Sequence, residues 1–172
     1  MDKPVIDIAD IDLQQRPAAF APSGDPAQRF DARIGQIAPL LGARQLGYNI
    51  TLVPAGKRAF SMHNHRANEE MFFILEGTGE LRFGKTTYPL RPGDVIACPA
   101  SGPEQAHQVI NTSEQDLRYL AVSTKLSPEI AEYPDSGKFG VLAQFADDAG
   151  SVPRVFFHIG REGEGLDYWE GE

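Results

Sequence analysis

Cysteine is almost absent from this chain of 172 residues, because Cys98 is the only one. A single cysteine excludes an intrachain disulfide and any zinc site built from several cysteines. A chain without disulfides is typical of a reducing compartment, so we expect a cytoplasmic protein. Nothing basic neighbours Cys98 in the sequence, and we therefore expect a buried, inert thiol there.

Long hydrophobic runs and an excess of positive charge are also missing. No segment approaches the roughly 18 apolar residues that cross a bilayer, and Asp7, Asp10 and Asp12 interrupt any apolar signal core near the first residue. The formal net charge is −8, whereas nucleic acid and anionic membrane surfaces bind basic proteins. We expect a soluble protein whose partner is a small molecule and that binds neither nucleic acid nor a membrane.

Short apolar stretches separated by turn residues are abundant. The chain has 17 glycines and 13 prolines, scattered throughout, as in proteins with many turns. About eight short strands are predicted from residue 44 to residue 123, which is typical of an all-β sandwich or barrel. The predicted strands are 44–54, Ala59–His65, Glu70–Glu76, Glu80–Phe83, Thr86–Leu90, Asp94–Cys98, His107–Asn111 and Leu117–Ser123.

The flanking segments are less regular. Prolines interrupt the first 43 residues, for which we predict an extended arm with at most one short helix near Asp31–Leu40. A turn is predicted at Tyr133–Gly137, and a last strand at Val155–Ile159. We predict one domain, made of an N-terminal arm (1–43), a β core (44–125) and a C-terminal extension (126–172).

The segment Glu70–Glu76 is apolar on both faces of the predicted strand, since it reads Met-Phe-Phe-Ile-Leu between its two glutamates. A sheet open to water on one side would alternate apolar and polar residues. An opposing sheet must therefore cover one face, and the N-terminal arm or a second subunit the other. On this basis we expect a homodimer.

Three of the four histidines lie in two short segments rich in metal-binding side chains. His63 and His65 are two residues apart, so on a strand they share a face. If the chain turns back after them as a hairpin, Glu70 meets them, and the strand of His107 can lie beside that of Glu70. Three imidazoles and one carboxylate would leave positions on an octahedral ion for substrate, unlike a closed structural site.

The spacing of these residues resembles the two motifs of the cupin superfamily. The first motif is matched by Gly56, His63-Asn64-His65, Glu70 and Gly77, and the second by Gly93, Pro99, Gly102, His107 and Asn111. The chain departs from the family pattern by one extra residue before His63 and by three between Pro99 and His107. The longer loop Ala100–Ala106 is expected near the mouth of the site.

The resemblance implies a cupin double-stranded β-helix, an antiparallel jelly-roll barrel, that binds one divalent ion such as iron, manganese, nickel or zinc. Its ligands would be His63, His65, Glu70 and His107. Glu69 is the rival of Glu70 as ligand or as catalytic proton carrier, and a shift of one residue reverses the face, so only one of them can be a ligand. The arm and tail resemble those of small, single-domain bacterial cupins in which a Tyr-Pro-Asp segment follows the core.

Two classes of function follow from the resemblance. The first is a metal-dependent oxidoreductase, chiefly a dioxygenase, or a related oxidase, decarboxylase or isomerase, acting on a small polar or carboxylate-bearing molecule. The alternative is a non-catalytic barrel that binds or senses a sugar-like ligand. Four residues share strand parity with the ligands and either contact substrate or are ordinary core: Ser61, Phe72, Ile74 and Val109. The remaining histidine, His158, is expected to be structural.

Overall fold

The computed structural model describes residues 4–145 and 154–172, and within them the chain forms thirteen strands and four short helical segments. The helical segments are the 3₁₀ turns Ile8–Asp10, Ala18–Phe20 and Pro103–Gln105 and the helix α1, Asp25–Arg29. The strands are β1 (Gln14–Gln15), β2 (Arg33–Gln36), β3 (Leu46–Val53), β4 (Asn64–His65), β5 (Glu70–Glu76), β6 (Gly79–Phe83), β7 (Thr86–Leu90), β8 (Val95–Cys98), β9 (His107–Ile110), β10 (Leu117–Thr124), β11 (Glu129–Tyr133), β12 (Lys138–Phe145) and β13 (Arg154–Arg161). No helix among the described residues is long and apolar enough to cross a membrane.

The described strands form three antiparallel sheets, so the predicted all-β jelly-roll class is confirmed. The six-stranded sheet has the order β1-β2-β3-β10-β5-β8, the four-stranded sheet β13-β12-β11-β4, and the three-stranded sheet β7-β6-β9. These sheets are not joined into a closed barrel. The arm contributes β1 and β2 to the first sheet, and the C-terminal extension contributes β11, β12 and β13 to the second.

Strand β5 lies between β10 and β8. On the inner face, Phe72 and Ile74 are buried in the main core, with Val53, Leu81, Ile96, Val109, Leu117 and Tyr119. On the outer face, Leu75 packs with Ile50 and with Ile11 and Ile37 of the arm, whereas Met71 and Phe73 are partly exposed. The arm therefore covers only part of the second apolar face.

The turn after β5 depends on Gly77. Its φ is 77°, a left-handed backbone conformation that side chains disfavour. A Cβ at this position would also lie 2.2 Å from the carbonyl oxygen of Asp116. Glycine therefore allows the chain to leave β5 tightly and enter β6, the strand that pairs with β9 and so positions His107.

Three secondary-structure predictions were wrong or incomplete. The prediction allowed at most one short helix near Asp31–Leu40, but Arg33–Gln36 form a strand between β1 and β3. The short helix forms earlier, with Pro26 in its first turn, where proline is tolerated. The strand expected at Ala59–His65 is reduced to β4. Strands β11 and β12 were not predicted, although the turn between them was.

Candidate metal centre

Three imidazole nitrogens surround a single carboxylate oxygen, Oε2 of Glu70. The Nε2 atom lies 2.9 Å away in His107, 3.4 Å in His65 and 3.6 Å in His63. The His107 side chain is almost fully buried, whereas those of His63, His65 and Glu70 are partly accessible. The structure thus brings together all four residues that the resemblance implied as ligands.

Three of these four residues come from three different sheets, and His63 lies just before β4. Glu70 begins β5, His107 begins β9, and His65 ends β4. His63 is held against His107 by two backbone hydrogen bonds, in which each N–H donates to the other's carbonyl, with N···O distances of 3.1 and 2.7 Å.

The local pairings expected from the sequence were wrong. Strand β4 pairs with β11 rather than forming a hairpin with β5, and β9 pairs with β6 rather than β5. The turn at residues 66–68 carries the chain from one sheet to another. The ligands therefore meet across the interior of the jelly roll.

A hydrogen bond orients the His63 imidazole, and a carboxylate lies close to that of His65. Nδ1 of His63 lies 2.8 Å from the carbonyl oxygen of Ser61, and since a carbonyl only accepts, Nδ1 carries the proton. In the neutral ring this leaves the lone pair of Nε2 directed at Glu70. Nδ1 of His65 lies 3.6 Å from Oε2 of Glu129. Carboxylate and carbonyl partners of this kind commonly orient metal-binding histidines.

Burial and hydrogen bonding set the protonation states at the centre. Burial opposes ionisation of Glu70, but its contacts with His107, His63 and His65 outweigh this and hold its pKa well below the usual range. Burial lowers the pKa of His107. For His65, burial also acts to lower the pKa, but Glu70 and Glu129 outweigh it and raise the pKa. An ionised carboxylate beside a neutral His107 is the state that binds a metal.

The residues fit a divalent cation. The ligand atoms of His63, Glu70 and His107 all lie within 4.8 Å of one another. Ligands about 2.1 Å from an octahedral ion stand about 3 Å apart in neighbouring positions, close to the separation of His107 and Glu70. Both ring nitrogens of His65 are buried without a hydrogen-bond partner among the described residues, and buried polar atoms normally have one. A cation would give Nε2 of His65 a partner. It would also lie between the Nε2 lone pair of His63 and the carboxylate of Glu70, which otherwise face each other as two acceptors.

Two other predicted residues, Glu69 and Cys98, lie outside the cluster. The Glu69 side chain is exposed, and its backbone N–H donates to Oγ1 of Thr124, so the structure does not bring it to the histidines. Cys98 is buried, and burial followed by the negative charge of Glu70 raises its pKa to about 12. A thiol that stays protonated is inert, as expected.

A cavity of about 510 Å³ opens on the cluster. The predicted substrate residues divide between it and the core, because Ser61 and Phe72 line the cavity whereas Ile74 and Val109 are buried in the main core. The described lining consists of Arg16, Phe20, Asn49, Thr51, Phe60, Ser61, His63, His65, Glu70, Phe72, Ala121, Ala131, Tyr133 and Phe157. His158 is exposed on β13 and is absent from that lining.

The arm and the C-terminal extension supply cavity residues that the sequence did not reveal. Arg16 and Phe20 come from the arm, and Tyr133 and Phe157 from the extension. The Tyr133 ring is nearly parallel to that of His63, with centroids 6.3 Å apart. None of these residues belongs to a spacing motif, so the only signal was the Tyr-Pro-Asp segment that begins at Tyr133.

Glu129 was also missed, although it contacts the loop between two ligands. Its Oε1 accepts the backbone N–H groups of Arg66 and Ala67, each at 3.1 Å, and its Oε2 accepts that of Asn68 at 2.8 Å. The Asn68 side chain also donates to Oε2. This buried carboxylate thereby fixes the loop that joins His65 to Glu70.

Comparison with known proteins also points to the cupin fold. Residues 49–123, which contain all four candidate ligands, match the model of a cupin domain. An uncharacterised protein of Methanocaldococcus jannaschii is 31% identical over 72 residues, which cover 42% of this chain and 54% of that protein. The chain thus spans about half the length of this curated relative.

Two solved structures match nearly the whole chain. A sugar phosphate isomerase of the cupin superfamily from Silicibacter pomeroyi has a TM-score of 0.75 at 23% identity, covering 96% of this chain and 98% of its own. A candidate sugar phosphate isomerase from Acidithiobacillus ferrooxidans has a TM-score of 0.74 at 19% identity, covering 96% of each chain. With the cupin-domain match over residues 49–123, these likenesses show that the chain has a cupin fold.

Proposed function

We propose that this protein is a metal-dependent enzyme that isomerises a small hydroxycarbonyl compound. The observation that carries the proposal is the cavity of about 510 Å³ that opens directly on His63, His65 and Glu70. Ligand cavities commonly have volumes of about 300–1,000 Å³, which is room enough for a small sugar-like molecule. A purely structural metal site would instead be closed.

The cavity pairs the metal centre with hydrogen-bonding groups and an apolar wall. His63, His65, Glu70 and His107 would hold the ion, which when bound supplies Lewis-acid polarisation of a substrate oxygen. Burial raises the pKa of Tyr133, so its hydroxyl stays protonated and can donate a hydrogen bond to a substrate oxygen. The aromatic rings in the lining limit the access of water.

Two considerations favour isomerisation over the oxygenation expected from the sequence. The two solved structures that match nearly the whole chain, arm and extension included, are named as sugar phosphate isomerases. Isomerisation of a hydroxycarbonyl moves protons between adjacent carbon and oxygen atoms and requires no second substrate.

The test compares metal-free protein with protein reloaded with Mn²⁺, Fe²⁺ or Zn²⁺. Three- to six-carbon aldoses and aldose phosphates are incubated in D₂O and followed by proton NMR. We expect metal-dependent deuterium exchange at the carbon beside the carbonyl, and aldose–ketose conversion. Tyr133→Phe should keep the metal but lower kcat by about 10²-fold, as loss of a proton donor does.

Other outcomes would contradict the isomerase. Metal-dependent oxygen consumption without exchange would indicate an oxygenase. Saturable binding without any product would indicate a sensor. Exchange that survives complete metal removal would contradict metal dependence.

A further inference from the structure

The positively charged side chain in the described wall of the cavity at the candidate metal centre comes from the N-terminal arm. Arg16 follows β1 and is partly buried. It lines the same cavity as Ser61, His63 and Glu70, and among the described lining residues it is the only arginine or lysine. The cavity therefore has a metal-ligand cluster in one wall and a guanidinium in another.

Contacts with neighbouring residues hold this guanidinium in place. One of its NH₂ groups donates to the carbonyl oxygen of Ala59. Its Cζ lies 4.4 Å from the centroid of the Phe60 ring, a cation–π distance. The same ring lies 6.3 Å from the His63 imidazole. Since a guanidinium has five N–H donors and the Ala59 carbonyl takes a single hydrogen bond, donors are left for a ligand.

Arg16 has no ionic partner within the described ranges. Other arginines pair with carboxylates, as Arg66 does with Glu132 and Arg82 with Asp135. No carboxylate oxygen of residues 4–145 or 154–172 lies within 4.0 Å of Arg16. Burial lowers its pKa despite the opposing effects of Tyr119 and Asp31. A partly buried cation without an ion pair is stabilised by an anionic ligand.

We propose that Arg16 binds an oxyanion group of the substrate, a phosphate monoester or a carboxylate, while the hydroxyl or carbonyl end of the same molecule reaches the metal centre. This inference rests on the proposed function and narrows its substrate class to anionic molecules. The planar guanidinium matches two oxygens of such a group, which a lysine ammonium does not.

The experiment measures how much of a ligand's binding affinity depends on its negatively charged group. Zinc-loaded and metal-free protein are titrated calorimetrically with glycerol phosphate, glycerate and glycerol, which share hydroxyl groups and differ in charge. We expect the charged compound that matches the site to bind at least tenfold more tightly than glycerol. Arg16→Gln should remove this advantage and leave glycerol affinity and zinc content unchanged, and Arg16→Lys should restore part of it.

Arg33→Gln is the matched control, because Arg33 is exposed on β2 and the change in charge is identical. It should bind all three compounds like the unmodified protein. Circular dichroism and thermal melting confirm that each variant is folded. Comparison of the affinities for glycerol phosphate and glycerate identifies which oxyanion the site prefers.

The outcomes separate this inference from the proposed function. If Arg16→Gln and Arg16→Lys both bind the charged compounds as the unmodified protein does, the inference is overturned, even where metal-dependent isomerisation is observed. If the protein holds no metal yet shows phosphate or carboxylate affinity that depends on Arg16, the binding of an oxyanion by Arg16 stands, whereas the metalloenzyme and the contact of the ligand with a metal centre are refuted.

Discussion

Glu70 is the residue on which the site is centred. Its Oε2 lies within 3.6 Å of one nitrogen from each of His63, His65 and His107, and those contacts keep its carboxyl ionised despite burial. An ionised carboxylate among imidazoles is a metal ligand. The neighbouring Glu69 is exposed, so the one-residue offset between the two glutamates separates a partly buried candidate ligand from a surface charge.

Glu129 is predicted to set the metal affinity through the loop between His65 and Glu70. In the unmodified protein, backbone N–H groups donate to both oxygens of the Glu129 carboxylate. Glu129→Gln replaces one of these oxygens by an NH₂ group, which cannot accept a hydrogen bond. Leaving such donors unpaired should lower the free energy of unfolding by about 1–3 kcal/mol. Loss of an outer-shell partner should weaken metal binding by about 10–100-fold. Chelator competition and urea unfolding measure the two effects.

Glu76→Gln provides the control for this substitution. Glu76 lies at the end of β5 and its exposed side chain pairs with Arg118, so its loss should change stability by less than about 1 kcal/mol. Equal metal affinities for Glu129→Gln and Glu76→Gln would show that the loop contacts do not position the candidate ligands.

Strand β13 exposes apolar side chains that a second protein chain could cover. It is an edge strand of the four-stranded sheet, and its exposed apolar side chains are Val155, Phe156, Phe157 and Ile159. A long apolar edge is a template for pairing with another chain. The expectation of a homodimer therefore stays a prediction, and β13 adds a reason for it beside the partly covered outer face of β5.

We predict a dimer that Phe156→Lys dissociates, since a charge on β13 would be buried in the paired state. Size-exclusion chromatography with light scattering should give twice the 18.8 kDa of one chain for the unmodified protein and 18.8 kDa for the variant. The control is Tyr88→Lys on β7, an exposed aromatic residue of another edge strand, which should remain dimeric. A monomer before any substitution would refute the prediction.

Local patterns predicted some strands well and others poorly, for identifiable reasons. The β5 strand and the β6–β7 hairpin have apolar runs bounded by glycines, and both form as expected. Strand β11 was missed because it begins with a glutamate whose burial is compensated by the turn amides of another segment. Strand β12 contains Gly140, a residue that weakens a strand pattern.

At the scale of the whole molecule, the spacing of the candidate ligands and the groups that line the cavity come from different parts of the chain. All four ligands fall within residues 49–123, the range that matches the cupin domain. Arg16 and Tyr133, which line the cavity, fall outside that range. The spacing motif therefore predicted a metal centre but not the groups that would select a substrate, because strand pairing brings those groups in from distant parts of the chain.

Metal content measured by elemental analysis tests the central claim most directly. The protein is purified without chelator beside His107→Ala and the control His158→Ala, which removes a histidine exposed on β13. The account predicts near-stoichiometric iron, manganese, nickel or zinc in the unmodified protein and in His158→Ala, and its loss from folded His107→Ala. Absence of metal from the unmodified protein after reloading, or retention of full metal content by His107→Ala, would contradict it.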